Sequence, residues 1–243
     1  MITRRWQFTL SFVVLLSPSC TSRRAGQHTE NAVTGSALVE VSGGKQAAAV
    51  GSTLDQPVVV QVNDDKGAAV SNVAVHFTGP TGMSFIPEIV LSDSSGQATA
   101  AVSLGSSPGR YNFESWIQDR SGKRISLSLE ETALGYEQVL GRELAVRYCT
   151  RCHDQESTAE RVSNYDNLKV KPHALSDGDA LNKMTDEELL SITTHGGPAL
   201  NRSAEMPAYG YTLSKVQIQA LLAYMRAVSD PPYQSKGVVY AQK

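Results

Sequence analysis

Apolar and polar residues alternate strictly in short runs between residues 37 and 132. Alternation of this kind buries one face of a β-strand and leaves the other face in solvent. Turn-forming clusters such as Asn63-Asp64-Asp65-Lys66-Gly67 and Asp93-Ser94-Ser95-Gly96 separate the runs. The pattern predicts an all-β sandwich over residues 37–132. The apolar positions are Val58, Val60 and Val62; Val73, Val75 and Phe77; Ala98, Ala100, Val102 and Leu104; Tyr111 and Phe113; and Ile125, Leu127 and Leu129.

The hydrophobic period changes to that of a helix from about Tyr136. Two later helices begin with capping boxes, in which a Ser or Thr precedes a Glu or Gln by three positions. Thr185 precedes Glu188 in the first, and Ser214 precedes Gln217 in the second. This half of the chain is therefore predicted to be all-α.

These two patterns divide the chain of 243 residues, which is long enough for two domains with cores of their own. The predicted fold class is multidomain, with an all-β Ig-like sandwich at residues 37–132 followed by an all-α domain at residues 136–230. Residues 231–243 begin with two prolines and lack a helical period. We expect them to form an extended or disordered tail.

The first 19 residues have the pattern of a signal peptide. Arg4 and Arg5 supply a positive start, and residues 8–16 form an apolar stretch. That stretch is about half of the roughly 20 residues that a helix needs to cross a bilayer. The segment is predicted to direct export and to be absent from the mature fold.

The motif Leu16-Ser17-Pro18-Ser19-Cys20 resembles the lipobox of bacterial lipoproteins, in which the cysteine carries lipid and becomes the new N-terminus. It departs from the usual pattern because Ser17, and not Leu, lies three places before Cys20. The resemblance implies lipidation of Cys20, with residues 20–36 as a lipidated N-terminus and polar tether. The alternative is an ordinary cleaved signal in which Cys20 is incidental.

Charge excludes one class of partner. The chain has 22 basic and 24 acidic residues. A balance of this kind gives no polyanion-binding surface, so we expect no nucleic-acid partner.

The predicted sandwich resembles the bacterial Ig-like domains that repeat in the adhesins invasin and intimin. The resemblance is carried by Val58 to Asp64 with Gly67, by Leu91-Ser92-Asp93-Ser94-Ser95-Gly96, and by Pro108-Gly109-Arg110-Tyr111. Tyr111 is interpreted either as the tyrosine corner of such a sandwich or as a core aromatic residue. Trp116 falls out of phase with the buried aromatic residues, so we expect it to be exposed, and the same applies to His76.

Cys149-Thr150-Arg151-Cys152-His153 matches the Cys-x-x-Cys-His attachment motif of c-type haem. On a helix, positions three and four apart share a face, so two thiols reach the haem vinyl groups while the imidazole points at the iron. The alternatives are a redox-active pair or a structural zinc site. A redox pair is expected near a βαβ pattern, and a zinc site needs further ligands, whereas the third and last cysteine is Cys20. An unpaired cysteine in an exported protein supports the lipidation of Cys20.

The C-terminal half resembles class I cytochromes c over roughly residues 141–228. Glu205-Met206-Pro207-Ala208-Tyr209-Gly210 is similar to the methionine loop of that family, which a C-terminal helix follows. The resemblance implies one covalent haem c, with His153 and Met206 as the two iron ligands.

The same resemblance extends to the contact between the terminal helices. Gly141 occupies the glycine position eight residues before the first cysteine, and Leu221 and Tyr224 match the residues of the final helix. Ala145 stands where the family has an aromatic residue, which implies a looser helix contact there.

Four other residues compete with Met206 as the distal ligand by residue type alone. Met184 fits a hydrophobic staple at a helix start, and Met225 lies on an apolar helical face. His195 precedes a glycine pair that suits a helix end, and His173 follows a basic, proline-containing loop. We expect none of the four to bind the iron.

The order of these elements predicts an exported, lipid-anchored electron carrier of the periplasm or cell envelope, with other redox proteins as partners. With both axial positions filled, the domain is a carrier and not an enzyme. One alternative is a haem subunit of a dehydrogenase, or a site at which peroxide or a gas replaces Met206. A second alternative is a surface interaction protein that acts through the Ig-like domain, with Trp116 among its contacts.

Overall fold

The computed structural model describes residues 34–153 and 165–234. The predicted signal peptide, Cys20 and most of the tether lie outside the described residues, as does the end of the predicted tail. The described strands are β1 (Ala37–Ser42), β2 (Ala47–Ala49), β3 (Val58–Asn63), β4 (Ala74–Thr78), β5 (Ser84–Ile86), β6 (Ile89–Leu91), β7 (Gln97–Ser103), β8 (Gly109–Gln118) and β9 (Arg124–Leu134). The described α-helices are α1 (Tyr136–Tyr148), α2 (Gly178–Leu181), α3 (Asp186–His195) and α4 (Lys215–Val228).

The strands form two sheets, with the orders β1-β3-β7-β5 and β2-β9-β8-β4-β6. The described pairs are antiparallel except that of β2 with β9, which is parallel. One apolar core fills the space between the sheets, because the buried phase of each strand points inward. The alternation therefore predicted the sandwich correctly, down to the buried faces of β3, β7 and β8.

The tight turns use aspartate and glycine together. The Asp64 carboxylate accepts hydrogen bonds from the backbone N–H groups of Lys66 and Ala68, and Gly67 adopts a φ of +82°. Asp93 and Gly96 repeat the arrangement at the next predicted turn. An aspartate that bonds the backbone two and four residues on closes the turn, and glycine takes the left-handed position at no steric cost.

Tyr111 forms the tyrosine corner. Its hydroxyl donates to the carbonyl oxygen of Ser107 at 2.9 Å, four residues upstream. The bond pins the loop before β8, so of the two interpretations of Tyr111 the structure favours the corner.

The expectation that Trp116 and His76 are exposed is wrong. Both are half-buried, and their rings stack with centroids 3.9 Å apart and planes inclined by 9°. The guanidinium of Arg124 lies over the Trp116 ring, 4.5 Å from its centroid. The three side chains come from neighbouring strands of one sheet, so they form a ladder in which Trp116 is covered by its neighbours.

The helices surround a second apolar core, to which the sandwich contributes Ala47 and Leu134. Both predicted capping boxes are present, at the starts of α3 and α4. The sandwich and the helices lie within one compact unit. Among the described residues, no helix has the length and apolar character needed to cross a membrane.

Candidate functional site

The Cys-x-x-Cys-His segment begins where α1 ends. The N–H of Cys149 still donates to the carbonyl of Ala145, at 2.8 Å, as in the helix before it. The N–H groups of Cys152 and His153 then both donate to the carbonyl of Cys149, at 3.0 and 2.9 Å. This turn keeps the motif compact, and the three functional side chains are half-buried. Neither cysteine forms a disulfide.

The ring of His153 has a defined orientation. Its Nδ1 lies 2.5 Å from the carbonyl oxygen of His173. A carbonyl oxygen only accepts hydrogen bonds, so Nδ1 carries the proton and Nε2 is the nitrogen through which the ring would bind a metal. An outer hydrogen bond of this kind fixes the tautomer of a metal-ligating histidine and makes it a stronger base.

These groups fit haem c. Two thiols and one oriented imidazole lie within five residues, and that is the donor set which covalent attachment requires. Within the ranges that the structure describes, no cluster of three or more His, Cys, Asp or Glu side chains is arranged to hold a metal ion.

A redox-active pair also fits the geometry poorly. Reactive cysteines typically lie at helix N-termini, where the helix dipole stabilises the thiolate. Cys149 lies instead at the C-terminal end of α1, and burial raises the pKa of its thiol to about 11. The thiolate on which disulfide exchange depends is thus disfavoured.

The segment that carries Met206 lies against the C-terminal end of α3. The carbonyl of Met206 accepts from the N–H of Gly197 at 3.1 Å, and the N–H of Tyr209 donates to the carbonyl of Thr193 at 3.0 Å. Met206 itself is half-buried. Backbone bonds at Met206 and at Tyr209 therefore anchor the segment to α3 and to the residues that follow it.

Tyr209 ties the same segment to the end of α1. Its hydroxyl donates to the carbonyl of Tyr148 at 2.8 Å, directly before Cys149. The two tyrosine rings meet edge to face, with centroids 6.0 Å apart. Burial raises the pKa of Tyr209, so its hydroxyl stays protonated and able to donate. The Met206 segment and the cysteine turn are thus joined by one side chain.

The four residues that compete with Met206 as the distal iron ligand lie in other surroundings. Met225 is buried in the helical core, and Met184 packs against the same cluster. His195 is the exposed last residue of α3, where a basic side chain suits the helix dipole. His173 has an exposed ring, whose Nδ1 lies 2.8 Å from the carboxylate of Asp177.

The terminal helices cross in close contact at Gly141. A Cβ atom at this position would lie 2.0 Å from the carbonyl oxygen of Ala220 and 2.7 Å from the Cβ of Tyr224. Only glycine permits this approach, and Leu221 and Tyr224 are buried on the same face of α4. Ala145 is also buried, so a small residue in place of the expected aromatic one lies in the helical core.

Two features of the site were not anticipated. The backbone carbonyl of His173, and not its imidazole, is the group that contacts His153. Arg226 at the end of α4 donates to the carbonyls of Leu181 and Met184 and to the carboxylate of Asp186. Sequence patterns gave no signal for either, because each joins residues at least 20 positions apart.

Comparison with known families bears on the helical half of the chain. Residues 138–225 match the family model described as cytochrome c oxidase, cbb3-type, subunit III. The match indicates a cytochrome c domain, and this family implies covalently bound haem c and redox partners. No curated protein matches the chain.

Among solved structures, the chain is similar to the D00-D0 domain of intimin, with 16% identity over 42% of this chain and 48% of that one and a TM-score of 0.31. It is also similar to the Yersinia pseudotuberculosis adhesin InvE, with 12% identity over 41% of this chain and 32% of that one and a TM-score of 0.29. It is similar as well to invasin, a bacterial integrin-binding protein, with 20% identity over 40% of this chain and 19% of that one and a TM-score of 0.28. The chain thus spans less than half the length of each of these structures.

Proposed function

We propose that this protein is an exported, membrane-tethered monohaem c-type cytochrome that transfers single electrons between redox partner proteins. The observation that carries the proposal is the cysteine turn after α1, in which two cysteines accompany a histidine whose Nδ1 contacts the carbonyl of His173. The turn lies inside the segment that matches a cytochrome c family.

In this proposal Cys149 and Cys152 would hold the haem through thioether bonds, and His153 and Met206 would bind its iron. The haem supplies the one-electron chemistry when bound. The chain orients the imidazole of His153 through the carbonyl of His173 and presents the soft thioether of Met206 on an anchored segment. Histidine with methionine favours ferrous iron and raises the reduction potential. With both residues on the iron, substrate would find no open coordination site.

The proposed location follows from the N-terminal sequence. Residues 1–19 are the proposed signal peptide, and lipid on Cys20 is the proposed anchor to a membrane facing the periplasm or cell envelope. Haem attachment outside the cytoplasm agrees with export. Along the chain, the sandwich follows the proposed anchor and precedes the haem domain.

The test compares the oxidised and reduced visible spectra of the mature protein with those of Met206→Ala. We expect low-spin haem in the wild type, with the weak far-red band of methionine bound to ferric iron, and loss of that band in the variant. Met184→Ala is the matched control, because Met184 is also a half-buried methionine of the helical domain. It should keep the band.

Two outcomes would contradict the assignment of Met206. The first is a far-red band that survives in Met206→Ala. The second is ready binding of carbon monoxide to the reduced wild type, which would show an open iron position. That result would favour the peroxide- or gas-reacting enzyme instead.

A further inference from the structure

The sandwich is joined to the helical domain by more than a linker. Gly135 is the single residue between the end of β9 at Leu134 and the start of α1 at Tyr136. Leu134 is fully buried, and both it and Ala47 belong to the helical core. The sandwich therefore supplies part of the wall against which the helices pack.

Arg110 of β8 extends this contact to the end of α4. Its guanidinium donates to the carbonyl oxygens of Ala227, at 3.2 Å, and of Ser229, and it pairs with the carboxylate of Glu130. The last carbonyls of a helix lack partners within the helix, and the helix dipole makes this end negative. The guanidinium of Arg110 donates hydrogen bonds to these carbonyls, and its positive charge interacts favourably with the negative end of the helix dipole.

The chain just beyond α4 is fixed from both sides. Lys45 of the sandwich pairs with the carboxylate of Asp230. The backbone of Asp230 in turn donates to the carbonyl of Ser176 at 2.8 Å and accepts from the N–H of Gly178 at 2.9 Å. The chain just beyond α4 thus connects the sandwich to the turn that precedes α2, at residues 173–177.

That turn carries the hydrogen-bond acceptor of His153. The carboxylate of Asp177 lies 2.8 Å from Nδ1 of His173 and 3.1 Å from the N–H of Ala180, so it fixes the turn internally. The carbonyl of His173 is then placed 2.5 Å from Nδ1 of His153. A series of contacts therefore runs from the sandwich to the proposed iron ligand.

We propose that the sandwich tunes the reduction potential of the haem, with Arg110 and Lys45 as positioning residues for the acceptor of the His153 proton. The inference rests on the proposed role of His153 as the iron ligand. A well-placed carbonyl makes the imidazole a stronger base, which stabilises ferric iron. Loosening the turn weakens this effect and raises the potential.

The test is a redox titration of the mature haem-containing protein and its Arg110→Gln variant. We expect the potential of the variant to rise, with the ratio of ferrous to ferric haem at a fixed applied potential increasing about two- to threefold, or about 18–28 mV. Arg110→Lys keeps the charge but loses the fork geometry, so it should restore part of the wild-type value. Arg124→Gln is the matched control, because Arg124 pairs with Glu114 on the same sheet. It should leave the potential unchanged.

Lys45→Gln is a second variant, to be used if Arg110→Gln fails to fold. Lys45 is largely exposed, so its replacement should leave the fold intact. We expect a smaller rise in the same direction. Hydrogen exchange gives a second readout, in which the amides of Gly178 and Asp230 should exchange faster in both variants and at the wild-type rate in Arg124→Gln.

Folded Arg110→Gln or Lys45→Gln protein with the wild-type potential would overturn the proposal. So would a shift of equal size in Arg124→Gln. These results differ from a failure of the proposed function, in which the wild-type protein itself would lack low-spin haem ligated by histidine and methionine.

Discussion

The crossing of α1 and α4 at Gly141 gives the most direct structural prediction. In Gly141→Ala the new Cβ would lie 2.0 Å from the carbonyl oxygen of Ala220, whereas such carbon–oxygen contacts normally lie at about 3.3–3.6 Å. The helices must separate by about 1.3 Å or more, because the clashing atom is backbone and has no rotamer to change. A clash this close with backbone lies at or above the upper end of the about 1–3 kcal/mol that overpacking costs, against a gain in helix propensity of about 1 kcal/mol.

We therefore expect Gly141→Ala to lose about 2 kcal/mol or more of unfolding free energy. For a unit of this size that is a fall in Tm of about 4–8 °C or more. Thermal unfolding followed by circular dichroism measures it, with Val146→Ala at an exposed position of α1 as the control. A Gly141→Ala variant as stable as the wild type, or more stable, would refute close contact at this crossing.

Three further predictions concern a buried acid, the haem attachment and a buried arginine. Burial raises the pKa of Glu131 from 4.5 to about 8, so between these pH values the folded chain holds a proton that the unfolded chain has lost. Stability should therefore fall as pH rises through this window, by at most about 1.4 kcal/mol per pH unit, and urea titrations of Glu131→Gln should show a flatter profile. Cys149→Ser should leave at most one thioether bond and so weaken haem staining on a denaturing gel, whereas Cys20→Ser should not. Arg226→Gln removes the guanidinium that donates to the carbonyls of Leu181 and Met184 and to the carboxylate of Asp186, and it should cost about 3 kcal/mol of unfolding free energy. A loss below about 0.5 kcal/mol would contradict the importance of these contacts.

Local chemistry explains why much of the fold was predictable. The alternation of apolar and polar residues indicates which face of a strand is buried, and clusters of aspartate and glycine indicate where a strand ends. The capping boxes at Thr185 and Ser214 act within three residues, so their positions in the sequence are sufficient to find them. The cysteine motif is equally local, because its spacing sets its geometry.

The features that were missed depend on residues distant in sequence. The short strand β2 is a run of alanines without alternation, so its parallel pairing with β9 has no local signal. Glu131 falls on the buried phase of β9, where its charge argues against the burial that the structure shows. Arg110 contacts the end of α4, and Lys45 contacts Asp230 just beyond it, in both cases more than 100 positions away in sequence. Trp116 had the predicted phase, but its neighbours on adjacent strands cover it.

The central claim is that Cys149, Cys152 and His153 hold one covalent haem. Intact-mass measurement of the mature exported protein, made in cells that have the haem attachment machinery, tests it most directly. We predict the mass of the chain plus one haem, and the mass of the chain alone when both cysteines are changed to serine. A wild-type protein that carries no added haem, while its cysteines remain free or bind zinc, would contradict the account.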